Sequence, residues 1–259
     1  MPAPRLLTPA MSEQLPILYQ DAHLIAVHKP AGLLVHRTGI DRHETRFAVQ
    51  IVRDQIGQHV FPVHRLDKGT SGVLLFALNQ PVARELGQHF TEQKITKHYW
   101  AVVRGHPAEQ GRIDHPLDRI LDDYGNRRDR EQAPEAPAES QAAITEFRRL
   151  ATIELPVAID RYPCSRYALL ELMPLTGRRH QIRRHLKHLA HPIIGDVRYG
   201  KGNHNRYFRE VLRAPRLLLA CVRMQLHHPI SGQLLCIEQA VDGCFQDLLR
   251  QWDWPIHSS

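Results

Sequence analysis

The stretch His64-Arg65-Leu66-Asp67-Lys68-Gly69-Thr70-Ser71-Gly72 concentrates reactive side chains in one short turn. It sets a single carboxylate, Asp67, between two cations, Arg65 and Lys68, and bounds it with glycine. Nearby positive charge favours the charged form of an acid. Asp67 is therefore expected to be an ionised group that can act as nucleophile or base without a metal. The competing reading is a polar turn in which Asp67 caps a local backbone N–H, a common use of Asp. A second concentration is Thr176-Gly177-Arg178-Arg179-His180-Gln181-Ile182-Arg183-Arg184-His185-Leu186, with Lys187 next. Guanidinium groups are planar and permanently charged, and they suit a buried carboxylate or a phosphate. Histidines 180, 185, 188, 191, 227 and 228 suggest metal binding at first sight. No carboxylate or cysteine completes a convincing ligand set, so no metal is expected.

These groups need a scaffold. Val73 to Leu78 is an apolar run that reads as a buried strand, which would present Asp67 on a loop held by a rigid element. Ile17–Tyr19 and Leu24–Val27 read as a hairpin or two sequential strands, closed by Lys29-Pro30-Ala31-Gly32. Ala48, Ile51, Val52 and Ile56 recur at helical spacing, and Gly57 stops the pattern. Asn79 can cap a helix with Pro81 in its first turn and Val82, Leu86 and Phe90 on one face. Further strands are expected at 99–103, 167–172, 217–219 and 234–237. Helices are expected at 180–190 and around Phe245, Leu248, Leu249 and Trp252. Strands and helices do not alternate strictly, as a parallel doubly wound sheet requires. The fold class expected is α+β, with a mixed, mainly antiparallel central sheet and peripheral helices.

At 259 residues, 42% of them hydrophobic, the chain can bury a sizeable core. No apolar run reaches membrane-spanning length. Residues 1–15 read as a flexible tail without a secretory signal, with Met11 a possible start, and 16–255 as the folded domain. Residues 122–143 are rich in charge and read as a loop insertion. The four cysteines show no Cys-x-x-Cys spacing, which argues against zinc or a disulfide framework and fits a reducing cytoplasm. Net charge is +7, unevenly spread: Arg161 to Arg223 holds fourteen Lys or Arg against three acids. Such a block is the electrostatic footprint of a polyanion partner, although a solvated basic face has the same composition.

His64-Arg65-Leu66-Asp67 before Thr70-Ser71-Gly72 resembles the catalytic signature of pseudouridine synthases of the RluA type. Four more motifs fall in that family's order: His28 to Gly32, Lys97-His98-Tyr99, Thr176 to Leu186, and His191 to Asp196. The resemblance spans about residues 16–240 and implies a pseudouridine synthase fold, a central mixed sheet split by a catalytic cleft. It implies Asp67 as the catalytic acid, Arg183 as its ion-pair partner, and Tyr99 as the residue that stacks on the target base and could help remove its C5 proton. It suggests that Arg65 fills the gap left by a flipped base, the alternative being that it screens Asp67; Arg178 and Arg179 at the helix start, with Arg184 and Lys187, are expected to contact the RNA backbone. The chemistry needs no cofactor. Some relatives carry an N-terminal S4-type RNA-binding module, and none is expected here. Leu217-Leu218-Leu219-Ala220-Cys221 departs from the family's Leu-x-Leu-His-Ala.

Val52 to Phe61, Val35-His36-Arg37 and Arg161-Tyr162-Pro163 resemble the subgroup that acts on uridine 65 of tRNA. The expected partner is therefore tRNA, with no membrane and a monomeric protein. The alternatives are a large-subunit ribosomal RNA synthase and a non-catalytic RNA-binding or assembly protein of the same fold. A metal-dependent nuclease would need a carboxylate cluster instead.

Overall fold

The computed structural model describes residues 14–37, 44–120 and 139–256. Most of the expected tail (1–15) and most of the expected insertion (122–143) lie outside the described residues. In chain order the elements begin with β1 (Ile17–Gln20), β2 (Leu24–Lys29), α1 (Ala48–Ile56), β3 (Phe61–Pro62), β4 (Ser71–Ala77) and α2 (Gln80–Thr91). Then come β5 (Thr96–Arg104), β6 (Gln110–Asp114), β7 (Leu117–Asp118), β8 (Ser140–Gln141), β9 (Ile144–Leu155) and β10 (Ser165–Pro174). The last are α3 (Gln181–His188), α4 (Gly202–Glu210), β11 (Leu219–His227), β12 (Leu234–Glu238) and α5 (Gly243–Gln251).

One sheet runs in the order β1-β2-β4-β11-β5-β10-β9-β6, with β12 also on β11 and β3 also on β4; β7 and β8 pair apart. Every pairing in that sheet is antiparallel except β4 with β11. That parallel junction is two residue pairs long, Ser71 with Ala220 and Gly72 with Cys221. Gly72 has φ +111°, and a Cβ there would fall on the backbone of Cys221. Only glycine lets the two strands meet this closely. Farther along, β11 turns to β12 as its partner, at Arg223 to His227. The sheet therefore divides beside the start of β4, four residues after Asp67, and Tyr99 on β5 pairs with Cys221 directly across the junction.

Alternation along β5 and β10 feeds two cores. Tyr99, Ala101, Val103, Ala168, Leu170 and Leu172 join one with α1, α2 and α3. Trp100, Val102, Tyr167 and Leu169 join the other with Phe208 of α4 and Phe245 of α5. The helices thus cover the sheet, as the α+β reading expects. The Asn79 side chain caps α2 by accepting from Val82 N at 3.0 Å, and Gly57 closes α1 in the left-handed conformation. Among the described residues no helix is long and apolar enough to cross a membrane.

Several segments differ from the sequence reading. β9 and α4 carry mixed charged and apolar residues and gave no clean periodic signal. β11 begins at Leu219; upstream, Leu218 O still accepts from Val102 N of β5, but Leu218 N is diverted to Ile194 O. The helix expected at 180–190 is shorter, because His180 is left-handed (φ +54°) and Ala190 is too.

Candidate active site

Asp67 lies in the turn between Leu66 and Ser71, where Thr70 N donates back to its carbonyl oxygen at 3.0 Å. Lys29 holds this turn from below. Its side chain is fully buried, and Nζ donates to Pro30 O (2.9 Å), Leu33 O (2.7 Å) and Lys68 O (3.3 Å). Burial, with Arg216 nearby, pushes the Lys29 ammonium down to about 7. Gly32 N donates to Lys68 O as well, at 2.7 Å, so the Lys-Pro-x-Gly turn and the Asp67 turn are one unit.

Arg183 arrives from the second turn-forming segment. α3 is bolted to β9 by two side chains. Gln181 Nε2 donates to Ile144 O and Thr145 Oγ1, and His185 contacts Thr145 Oγ1 and His115 O through its two ring nitrogens. This sets Arg183 over the cleft. Its Nη1 donates to Asp67 Oδ2 at 2.9 Å, while Nε and Nη2 fork onto Asp196 Oδ2 and Oδ1 at 2.7 and 2.9 Å. The Asp196 side chain is 1% exposed, against 20% for Asp67. Burial works against a charged Asp196, but the Arg183 bonds and the backbone N–H groups of Tyr199 and Arg198 outweigh it and hold its carboxyl below the ordinary range. Burial likewise opposes the Arg183 charge, and Asp196 and Asp67 together overcome it and raise its affinity for the proton.

His180 completes the cluster. Its Nδ1 meets the Tyr199 hydroxyl at 3.0 Å, and its Nε2 is 3.9 Å from Asp67 Oδ1. Burial lowers the imidazole to about 4; Asp67 opposes this, and Arg183, Arg179 and Arg198 reinforce it. His180 is therefore neutral at working pH. The Arg183 guanidinium also sits 5.2 Å from the centre of the Tyr199 ring.

Asp67 and Arg183 border a cavity of about 580 Å³, whose other walls include Tyr99, Ile95, Ile182 and Leu219. Tyr99 is buried in that wall. Its enclosure and the adjoining Cys221 thiol raise the phenol well above its usual range. It stays protonated, so it offers a ring face and an O–H rather than a phenolate base. His64 backs the turn: its Nε2 accepts from Leu75 N at 3.0 Å, its ring stacks on Phe90, and enclosure lowers it to about 3.

The remaining basic residues divide. Arg65 and Arg179 border the cavity with Arg178. Arg178 Nε also donates to Ala142 O, and Arg184 Nη1 donates to Asp118 O, which engages both with the protein. Lys187 lies 5.9 Å from the Tyr199 ring centre. Sequence reasoning gave no role to Asp196, His180, Tyr199 or Lys29. Asp196 ended a quoted motif and was a visible signal, since it is one of only three acids in the basic block. Tyr199 carried none.

The RNA pseudouridylate synthase family model matches residues 23–188. A Vibrio vulnificus (strain CMCP6) protein named tRNA pseudouridine synthase C is 47% identical over 245 residues, covering 93% of this chain and 96% of that protein. One of the same name from Pasteurella multocida (strain Pm70) is 48% identical over 248 residues, covering 94% and 98%. The solved structure of human RNA pseudouridylate synthase domain containing 4 superposes with a TM-score of 0.68 at 23% identity, covering 94% of this chain and 95% of that one. It shares the fold.

Proposed function

The chain belongs to the RNA pseudouridylate synthase family, and from that membership we propose that it converts uridine 65 of tRNA to pseudouridine, with Asp67 as the reacting carboxylate. The observation that carries the assignment of Asp67 is its hydrogen bond to Arg183 at the border of a cleft-like cavity that Tyr99 helps to line. The tRNA substrate rests on the names of relatives that match nearly the whole chain.

Isomerisation breaks the N1–C1′ bond, turns the base, and joins C5 to C1′. A proton leaves C5 and another is gained at N1, so the reaction balances without oxidant or cofactor. The base must first leave its stack, at a cost of a few kcal/mol. The cavity beside Asp67 offers a flipped uracil the Tyr99 ring, Ile182 and Leu219 as walls. Asp67 attacks either C1′ of the ribose or C6 of the uracil; covalent capture divides one hard step into two easier ones. Arg183 holds the carboxylate in place, and Tyr99 stacks on the base. Arg65, Arg178 and Arg179 approach the RNA backbone from the cavity border, and Arg184 and Lys187 from the outer part of α3. The protein acts in the cytoplasm, where its tRNA is.

The test is release of tritium from uridine C5 in tRNA and in ribosomal RNA, with pseudouridine mapping in cells with and without the gene. Release from tRNA, loss of the modification at nucleotide 65 alone, and an inactive Asp67→Asn that still binds tRNA support the reading. Loss of a ribosomal pseudouridine instead, or wild-type inactivity on total RNA, overturns it.

A further inference from the structure

A second cavity, of about 490 Å³, lies against the first. The two share Arg65, Leu66, Asp67, Arg179, His180 and Arg183 as a dividing ridge. The first is lined by Tyr99, Ile95, Ile182 and Leu219 together with charged groups such as Lys97 and Arg178. The second is bounded by Val197 and Arg198 on one side and Pro215 and Arg216 on another. Its two acids, Asp67 and Asp196, are both engaged by Arg183, and of its other cations Lys68 pairs with Glu44 and Arg216 with Asp242.

Val197 and Arg198 stand on a turn that is tied down on every side. Arg198 N and Tyr199 N both donate to Asp196 Oδ1 at 3.0 Å. Gly200 N and Asn205 Nδ2 donate to Asp196 O, and Gly195 N donates to Asn205 Oδ1. Gly195 has φ +81°, and a Cβ there would strike the Arg216 backbone. This rigid turn presents a valine that is 96% exposed. Single exposed apolar residues are ordinary. This one differs because hydrogen bonds on both sides hold its turn in this exposed position and because it borders the second cavity, which Asp67 also lines. Next to it, the exposed Arg198 lies 5.6 Å from the Tyr199 ring centre and makes no ion pair among the described residues.

We propose that the Val197–Arg198 turn is an RNA-contacting finger. Arg198 binds a phosphate of the nucleotide adjoining the target uridine, and Val197 packs on that nucleotide's base in the second cavity. The inference rests on the proposed function, because it needs the target base to occupy the first cavity with its C1′ near Asp67. The strand must then cross the ridge, and its neighbour meets the second cavity. A cavity of a few hundred Å³ suits a ligand of nucleotide size.

The experiment measures tRNA binding against salt in an Asp67→Asn background, after wild-type turnover on tRNA has been established. One phosphate contact contributes about 0.7–0.9 to the slope of log affinity against log salt, or about four- to fivefold in affinity at 0.15 M. Arg198→Gln is expected to lose about that much of both. Val197→Ser is expected to weaken binding with the slope unchanged. Arg250→Gln on α5, which packs into the other core, is the charge-matched control and is expected to change neither. Wild-type affinity and slope in Arg198→Gln, or an equal loss in Arg250→Gln, overturns the finger. A wild type that makes no pseudouridine in tRNA overturns the proposed function instead.

Discussion

Arg183 is shared unequally between two acids, and the inequality predicts opposite outcomes for two similar substitutions. Asp67 receives one hydrogen bond from Arg183 and is one-fifth exposed. In Asp67→Asn the guanidinium keeps its fork to Asp196, so the loss is one charge-assisted bond. Such bonds contribute about 1.5–3 kcal/mol, and partial exposure places this one at the low end, about 1–2 kcal/mol. Asp196 is 1% exposed and accepts two bonds from Arg183 and two from backbone N–H groups. Asp196→Asn turns an amide N–H₂ or a neutral oxygen toward a buried guanidinium, and breaking such a pair costs about 3–5 kcal/mol. For a chain of this size 1 kcal/mol shifts Tm by roughly 2–4 °C. The expected falls are therefore about 2–8 °C for Asp67→Asn and about 6–20 °C for Asp196→Asn. Activity should run the other way. Asp67→Asn abolishes tritium release, whereas Asp196→Asn, assayed below its melting range, keeps the carboxylate and loses up to about a hundredfold through misplacement. Calorimetry and tritium release on the same preparations test both orders. An Asp67→Asn protein less stable than Asp196→Asn, or an active one, refutes the reasoning.

Gly72→Ala should lower stability by about 2–4 kcal/mol, because its Cβ meets Cys221 and its φ is positive; a denaturation midpoint equal to wild type contradicts the close junction. Lys29→Met should cost more than about 3 kcal/mol, since three carbonyl oxygens lose their donor inside the protein; wild-type urea unfolding would remove Lys29 as the tie between the two turns. The depressed imidazoles of His64 (about 3) and His180 (about 4) set an acid limb. The unfolded chain takes up those protons first, near 6.5, so stability is full above about pH 6.5 and is lost as pH falls toward 4. Melts between pH 7.5 and 4.5 should show this slope, and His64→Gln, which can still accept from Leu75 N, should flatten it; an unchanged slope counts against His64.

The fold was legible where one physical signal dominated. Val73 to Leu78 is apolar throughout because β4 is buried on both faces, and Asn79 with Pro81 marks the start of α2 because both fit its first turn. β9 was invisible because its residues lie mostly at intermediate burial, and the alternation is broken at Arg148-Arg149, beside a shift in its register with β10. In the site, the Asp67 motif was legible because its residue types do chemistry by themselves. The roles of His180 and Tyr199 depend on a left-handed residue and a long-range turn, neither of which leaves a periodic trace. Lys29 entered the sequence reading only as part of a strand-ending turn, and only the three converging carbonyls explain why a lysine is needed inside.

The division of Arg183 also explains why the site has two acids rather than one. A guanidinium facing a lone carboxylate tends to fork onto both oxygens. That arrangement would occupy both oxygens of Asp67 and leave it a poor nucleophile. Here Asp196 takes Nε and Nη2, so only Nη1 reaches Asp67, at a single oxygen. Asp67 Oδ1 has no hydrogen bond among the described residues, and its near neighbour, His180 Nε2, is 3.9 Å away. Asp67 is thereby fixed in direction through Oδ2 while Oδ1 stays available to the substrate. The neutral state of His180 matters for the same reason: a second cation at that distance would draw Oδ1 into an ion pair. On the proposed function, the buried acid takes no part in the chemistry and serves to keep one oxygen of Asp67 open to the substrate.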